Sequence, residues 1–173
     1  MIPKILAVTV TLLPLCCFGQ ALKKPPPKFE DFPVTQKWNG VHSEVRLETT
    51  EQRLFRTNLR EASKKAPNFA ARYRIIIWGC GTQCIQGGMV DIETGKIAPL
   101  PTGGKSRGER FWDICDSAFY PSGIEHRVDS KLLIIRCADI VGPDGGNYMR
   151  TSYFVIENGS FQRIEERHGL RVF

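Results

Sequence analysis

From residue 72 onwards the chain is a succession of short apolar segments parted by tight turns, and this feature most restricts its fold. Turns of two or three residues join only antiparallel strands, because a parallel pair needs a crossover of a dozen residues or more. Arg72 to Trp78 carries three consecutive isoleucines and reads as a strand covered on both faces. Cys84 to Ile92 and Lys96 to Leu100 flank the turn Glu93-Thr94-Gly95, and Ile124 to Val128 and Leu132 to Cys137 flank Asp129-Ser130. Tyr148 to Ile156 and Phe161 to Glu165 flank Asn158-Gly159, the strongest short hairpin signal a sequence can carry. Pro101 to Arg110 and Gly142 to Asn147 read as the two longer irregular stretches.

Glu44 to Leu47 reads as one further short strand. Thr49 and Thr50 then offer capping hydroxyls, with Gln52 at the reciprocal position of a capping box. From Glu51 to Ala66 the composition favours a helix, and Pro67 ends it. Its apolar positions Leu54, Phe55, Leu59 and Ala62 form a narrow stripe, which suits a helix lying on a sheet. The expected fold is therefore α+β: a mainly antiparallel β-meander sheet of about seven to nine strands with one packed helix. With 173 residues, 42% of them hydrophobic, the chain can bury one sizeable core. A charged fraction of 24% beside that hydrophobicity excludes a disordered chain.

The N-terminus reads as a signal for export. Lys4 precedes an apolar run, and Gly19-Gln20-Ala21 matches a small-x-small cleavage site. Ile5 to Phe18 is 14 residues long, short of the roughly 20 that a spanning helix needs. The expected organisation is a signal peptide over 1–21, a Pro/Lys-rich leader arm over 22–31 and a single globular domain over 32–173, periplasmic or secreted. No membrane segment is expected after cleavage.

The segment Asn68-Phe69-Ala70-Ala71-Arg72-Tyr73, followed by Trp78-Gly79-Cys80-Gly81-Thr82-Gln83-Cys84, Gly87, Asp91 and Thr94-Gly95, is distinctive. It resembles a family of small, uncharacterised exported bacterial proteins with a Trp-Gly-Cys-Gly-x-x-Cys core and an Asp-x-x-Thr-Gly turn. The resemblance covers residues 67 to 97 and implies a bacterial, extracytoplasmic protein. It carries over no activity and no catalytic residue.

Signal cleavage removes Cys16 and Cys17 and leaves Cys80, Cys84, Cys115 and Cys137. An even number in an exported chain argues for disulfides. Cys80 and Cys84 sit at the ends of one hairpin loop, where Gly79 and Gly81 permit a tight ring; Cys115 and Cys137 are then left to each other, with crossed pairings still open. Thioredoxin-like chemistry uses Cys-x-x-Cys at a helix N-terminus, a spacing and setting that differ from these.

His42, His126 and His168 lie far apart, and neither HExxH nor G-x-S-x-G occurs. Asp144-Gly145-Gly146-Asn147 lacks the alternating oxygens and closing Glu of a calcium loop, so no metal or cofactor is expected. The net charge is +6. Arg53, Arg56, Arg60 and Lys64 recur at helical spacing along one face, and Lys105 and Arg107 lie in the Gly-rich loop. Such cations suit an anionic partner, either a protein or an envelope component. Nucleic acid is not expected, because surface aromatics do not interleave with the charges.

The function these features favour is an exported, disulfide-containing binding or interaction module without catalysis of its own. Its alternatives are an extracytoplasmic thiol–disulfide enzyme using Cys80 and Cys84, or an envelope-adhering structural protein. A thiol titration of the mature protein without reductant separates them. Two structural bridges leave no reactive thiol, whereas an exchange enzyme shows a low-pKa thiol after mild reduction.

Overall fold

The computed structural model describes residues 24–81, 84–101, 115, 123–139, 146 and 148–171. The expected signal peptide, Lys105 and Arg107 lie outside these residues, as do most of the two expected irregular stretches and the side chains of Cys80 and Cys84. The fold is α+β, built among the described residues from two antiparallel sheets, two short α-helical segments and one 3-10 turn, Phe29–Asp31. The first sheet has the order β1 (Tyr73–Gly81), β2 (Cys84–Asp91), β3 (Ile97–Pro99); the second has β4 (Ile124–His126), β5 (Leu132–Asp139), β6 (Tyr148–Glu157), β7 (Ser160–Arg171). Within each sheet every strand pairs with its neighbour in sequence, so the meander holds but is divided in two. Asn158 and Gly159 both have positive φ, +51° and +79°, the pair of left-handed residues that a type I′ hairpin demands.

The core lies between the sheets. Ile75 and Met89 of the first sheet meet Leu133, Ile135 and Cys137 of β5 and Phe154 and Ile156 of β6, with Phe69 fully buried among them. Alternation along β5 sends Leu132 and Ile134 to the opposite face, where Tyr153 and Val155 join them. Phe29 and Phe32 pack over that outer face, so the chain ahead of the strap contributes a layer of its own. Ser130 fastens it: the buried hydroxyl lies 2.8 Å from the Phe29 carbonyl oxygen and 3.0 Å from that of Phe32, and accepts from the Leu132 amide.

The other face of the first sheet is covered by helix and by an irregular strap, residues 34–48. Leu59, Val90 and Ile92 form a cluster there, against which Trp38, Val45, Leu47, Phe55 and Ile76 pack. Of the three isoleucines, Ile75 enters the inter-sheet core and Ile76 the cluster beneath the helix, but Ile77 is 45% exposed. The expectation of a strand covered on both faces therefore fails at its far end. Ile77 stands opposite Gly87, which offers no cross-strand side chain to pack against.

Two further expectations are corrected. Glu44 to Leu47 is not a strand. Its segment is tied to the β2–β3 turn by Ser43 N–H to Ile92 O at 2.9 Å and Arg46 N–H to Gly95 O at 2.8 Å. Gly95 has φ +70°, and a Cβ there would lie 1.9 Å from the Glu44 carbonyl oxygen, so the strap needs glycine at this contact. The single helix expected over 51–66 is two: α1 (Thr50–Leu54) and α2 (Arg56–Ser63). Thr49 and Gln52 form the expected capping box, each side chain meeting the other's backbone N–H at 3.1 Å. The break falls at Phe55, whose ring packs 5.0 Å from that of Trp78, while Leu54 turns outward and is 72% exposed. Pro67 disfavours helical angles at Ala66, consistent with α2 stopping at Ser63.

The turn leading into β1 joins the two sheets. Ala70 and Ala71 have φ of +43° and +66°, and their N–H groups donate to the carbonyls of Arg127 and Val128 at 3.2 and 2.7 Å. Asn68 clamps Ile75, accepting its N–H at 2.8 Å and donating to its carbonyl at 3.0 Å. His126 Nδ1 meets the Asn68 carbonyl at 3.0 Å, and the imidazole stands edge-on to Phe69.

Cys115 and Cys137 form a disulfide, with Cα atoms 5.6 Å apart, and Cys137 is buried in the core. The bridge closes a separation of 22 residues, so replacing both cysteines by Ser should lower stability by about 3 kcal/mol, read from urea unfolding. Burial, and secondarily the nearby Arg74 charge, hold the His126 imidazole below its ordinary pKa of 6.5 despite the carbonyl of Asn68. The unfolded chain thus takes up this proton at higher pH than the folded one, and the stabilisation is complete above about pH 6.5 and lost as pH falls below it. The stability difference between wild type and His126→Gln should accordingly shrink between about pH 7 and pH 5 in urea titrations.

Candidate functional site

The cationic residues expected to share a helix face are divided by the break at Phe55. Arg53 lies on α1, whereas Arg56 and Arg60 lie on α2 and Lys64 is its C-cap. Positions 56, 60 and 64 are successive i, i+4 steps, so one turn separates each from the next. Opposite them runs the strap, from His42 to Val45. Helix and strap enclose a groove of about 480 Å³, lined by Arg56, Arg60 and Lys64 on one side and by His42, Ser43 and Glu44 on the other. Arg53 is not part of its wall, because the two helical segments do not share one register.

The groove is held open by contacts at its edges. His42 Nδ1 lies 2.9 Å from the carbonyl oxygen of Ser63, close to the C-terminus of α2, and the imidazole packs 5.4 Å from the Trp38 ring. The Ser63 hydroxyl donates back to the Arg60 carbonyl at 2.9 Å. On the opposite side of the strap, the Ser43 hydroxyl donates to the Glu93 carbonyl at 2.6 Å.

The cations differ in what they already hold. Lys64 donates to Glu61 at 2.7 Å, and this hydrogen bond and charge hold the Glu61 carboxyl below its ordinary pKa. Arg56 reaches back to the Arg53 carbonyl at 3.4 Å, a contact that leaves its charge uncompensated. Arg60 forms no ion pair with any described residue. The groove therefore presents two guanidinium groups without a bound carboxylate, one turn apart, beside a lysine shared with Glu61. Guanidinium is weakly hydrated and binds carboxylate or phosphate oxygens in a bidentate fork, so this wall can take an anion.

His42 and the strap were not legible as members of this site. Their contacts to α2 span about 21 residues of chain through an irregular segment, with no local periodicity to announce them. The other residues singled out in the sequence stay apart. His126 belongs to the joint between the sheets, and His168 lies on β7, 3.5 Å from Glu166. Among the described residues, no three His, Cys, Asp or Glu side chains converge as metal ligands would. No described helix is long and apolar enough to cross a membrane. No protein-family model matches the chain, and neither curated proteins nor solved structures contain a match to it.

Proposed function

We propose that this protein is an exported binding module, braced by its disulfide, that recognises an anionic envelope component through the groove between α2 and the strap. The observation that carries this reading is the convergence of Arg56, Arg60 and Lys64 on one groove wall, with Arg56 and Arg60 unpaired to any described carboxylate. The leader-like residues 1–21, and the resemblance of residues 67–97 to exported bacterial proteins, support an extracytoplasmic location. The Cys115–Cys137 bridge is compatible with an oxidising compartment. Binding, not chemistry, is the role that such a wall of fixed charge performs.

Cosedimentation of the mature protein with vesicles of phosphatidylglycerol in phosphatidylcholine tests the reading. Binding should be strong at low salt and fade as ionic strength rises towards about 1 M, where the screening length falls to roughly 3 Å. Arg56→Glu with Arg60→Glu should weaken it by about tenfold or more, equivalent to about 1.4 kcal/mol. Binding that is indifferent to salt, or undiminished in the double variant, would overturn the proposal.

A further inference from the structure

A second and larger cavity, of about 890 Å³, opens on the other side of the strap. Its walls come from residues 34–40 of the strap, the joint at 70–73, Glu93 of the β2–β3 turn, Lys131 before β5, and the end of β6 with its hairpin. The volume falls within the roughly 300–1,000 Å³ of small-molecule sites. It shares no lining residue with the α2 groove.

Its charges are more closely matched than those of the groove, where Glu44 and Glu61 line the wall but Arg56 and Arg60 hold no described carboxylate. Lys37, Arg72 and Lys131 are matched in the wall by Glu93 and Glu157, with Asp91 just behind. Arg72 is already engaged, donating to Asp91 at 2.9 Å and to Glu93 at 2.6 Å and lying 5.1 Å over the Tyr73 ring. Three positive charges in the wall thus meet two negative ones, and Asp91 behind Arg72 brings the local balance close to zero, so the cavity draws an ion only weakly. Between these charges it offers the amides of Gln36, Asn39 and Asn158, each both donor and acceptor, together with the aromatic rings of Trp38 and Tyr73.

The walls are also built in advance. Ala70 and Ala71 hold left-handed angles that L-residues rarely adopt, and their bonds to Arg127 and Val128 retain them there. Trp38 rests directly on the backbone of Gly40, where a Cβ would lie 2.7 Å from the indole nitrogen. The partly buried indole also touches His42 and the cluster beneath α2 while lining the cavity. A site with rigid walls orders less on binding and loses less affinity to entropy.

We propose that this cavity binds a neutral saccharide, with the Gln36, Asn39 and Asn158 amides bonding its hydroxyls and the Trp38 ring packing against its C–H face. A sugar ring is the ligand class that needs donors and acceptors in equal measure, no charge, and an aromatic surface. The proposal stands independently of the α2 groove.

The test titrates the mature protein with chitotriose and with maltotriose, following tryptophan fluorescence and backbone amide NMR shifts. At least one should give saturable binding that is unchanged by salt up to about 0.5 M and unchanged in the Arg56→Glu, Arg60→Glu variant. Gln36→Ala with Asn39→Ala, both at exposed strap positions outside the core, should weaken that binding at least tenfold. The far-ultraviolet spectrum and urea midpoint of this variant check that it folds. The proposal is overturned if neither sugar saturates, if the variant binds as wild type does, or if trialanine, whose charged termini match Lys131 and Glu157, saturates the cavity instead.

Discussion

Two backbone hydrogen bonds carry more of this structure than their number suggests. The N–H groups of Ala70 and Ala71 reach across to the carbonyls of Arg127 and Val128, and they are the point at which the first sheet is registered on the second. Around them, Asn68 fixes the start of β1, Phe69 fills the inter-sheet core, and His126 closes the corner. The left-handed angles of both alanines accompany this pairing: with the chain reversed in that sense, consecutive N–H groups face the β4–β5 turn. Buried backbone donors must be paired, and pairing these two sets the angle at which the layers meet.

From that joint the remaining layers follow. Each sheet has an inner face turned to the common core and an outer face that needs its own cover. The second sheet takes Phe29 and Phe32 from the segment ahead of the strap; the first takes α2 and the strap. Surface ion pairs such as Arg127 with Glu30 and Asp129 decorate this arrangement but contribute little at such exposure. The strap has a double role, since its 34–40 portion walls the neutral cavity and its 42–45 portion walls the cationic groove. One irregular segment thereby separates two surfaces that differ in how far their charges are paired.

What could be read from the sequence was what short stretches decide by themselves. Asn158-Gly159 specifies its hairpin through φ preference, and Thr49 with Gln52 specifies a helix start through reciprocal hydrogen bonds. The spacing of Arg56, Arg60 and Lys64 is likewise a local property, and these three do share a groove. Arg53 shows where local reasoning stopped, because the break at Phe55 answers to a ring contact with Trp78, 23 positions on, that no periodicity encodes. Glu44 to Leu47 has the composition of a strand, yet bonds only to a turn and so never gains a ladder. The neutral cavity is assembled from several separate segments, and nothing in any one of them marks it.

The bond between Ser130 and the carbonyl of Phe29 joins positions 101 apart, and that of Arg127 to Glu30 joins positions 97 apart. A chain that emerges N-terminus first must therefore carry its opening residues uncovered for most of its synthesis. Phe29 and Phe32 find their partners only after β5 has arrived, so they are seated later than the strap, which meets α2 and the β2–β3 turn first. Long-range closure of this kind slows folding. Until β5 arrives, the two phenylalanines have no sheet face to cover them.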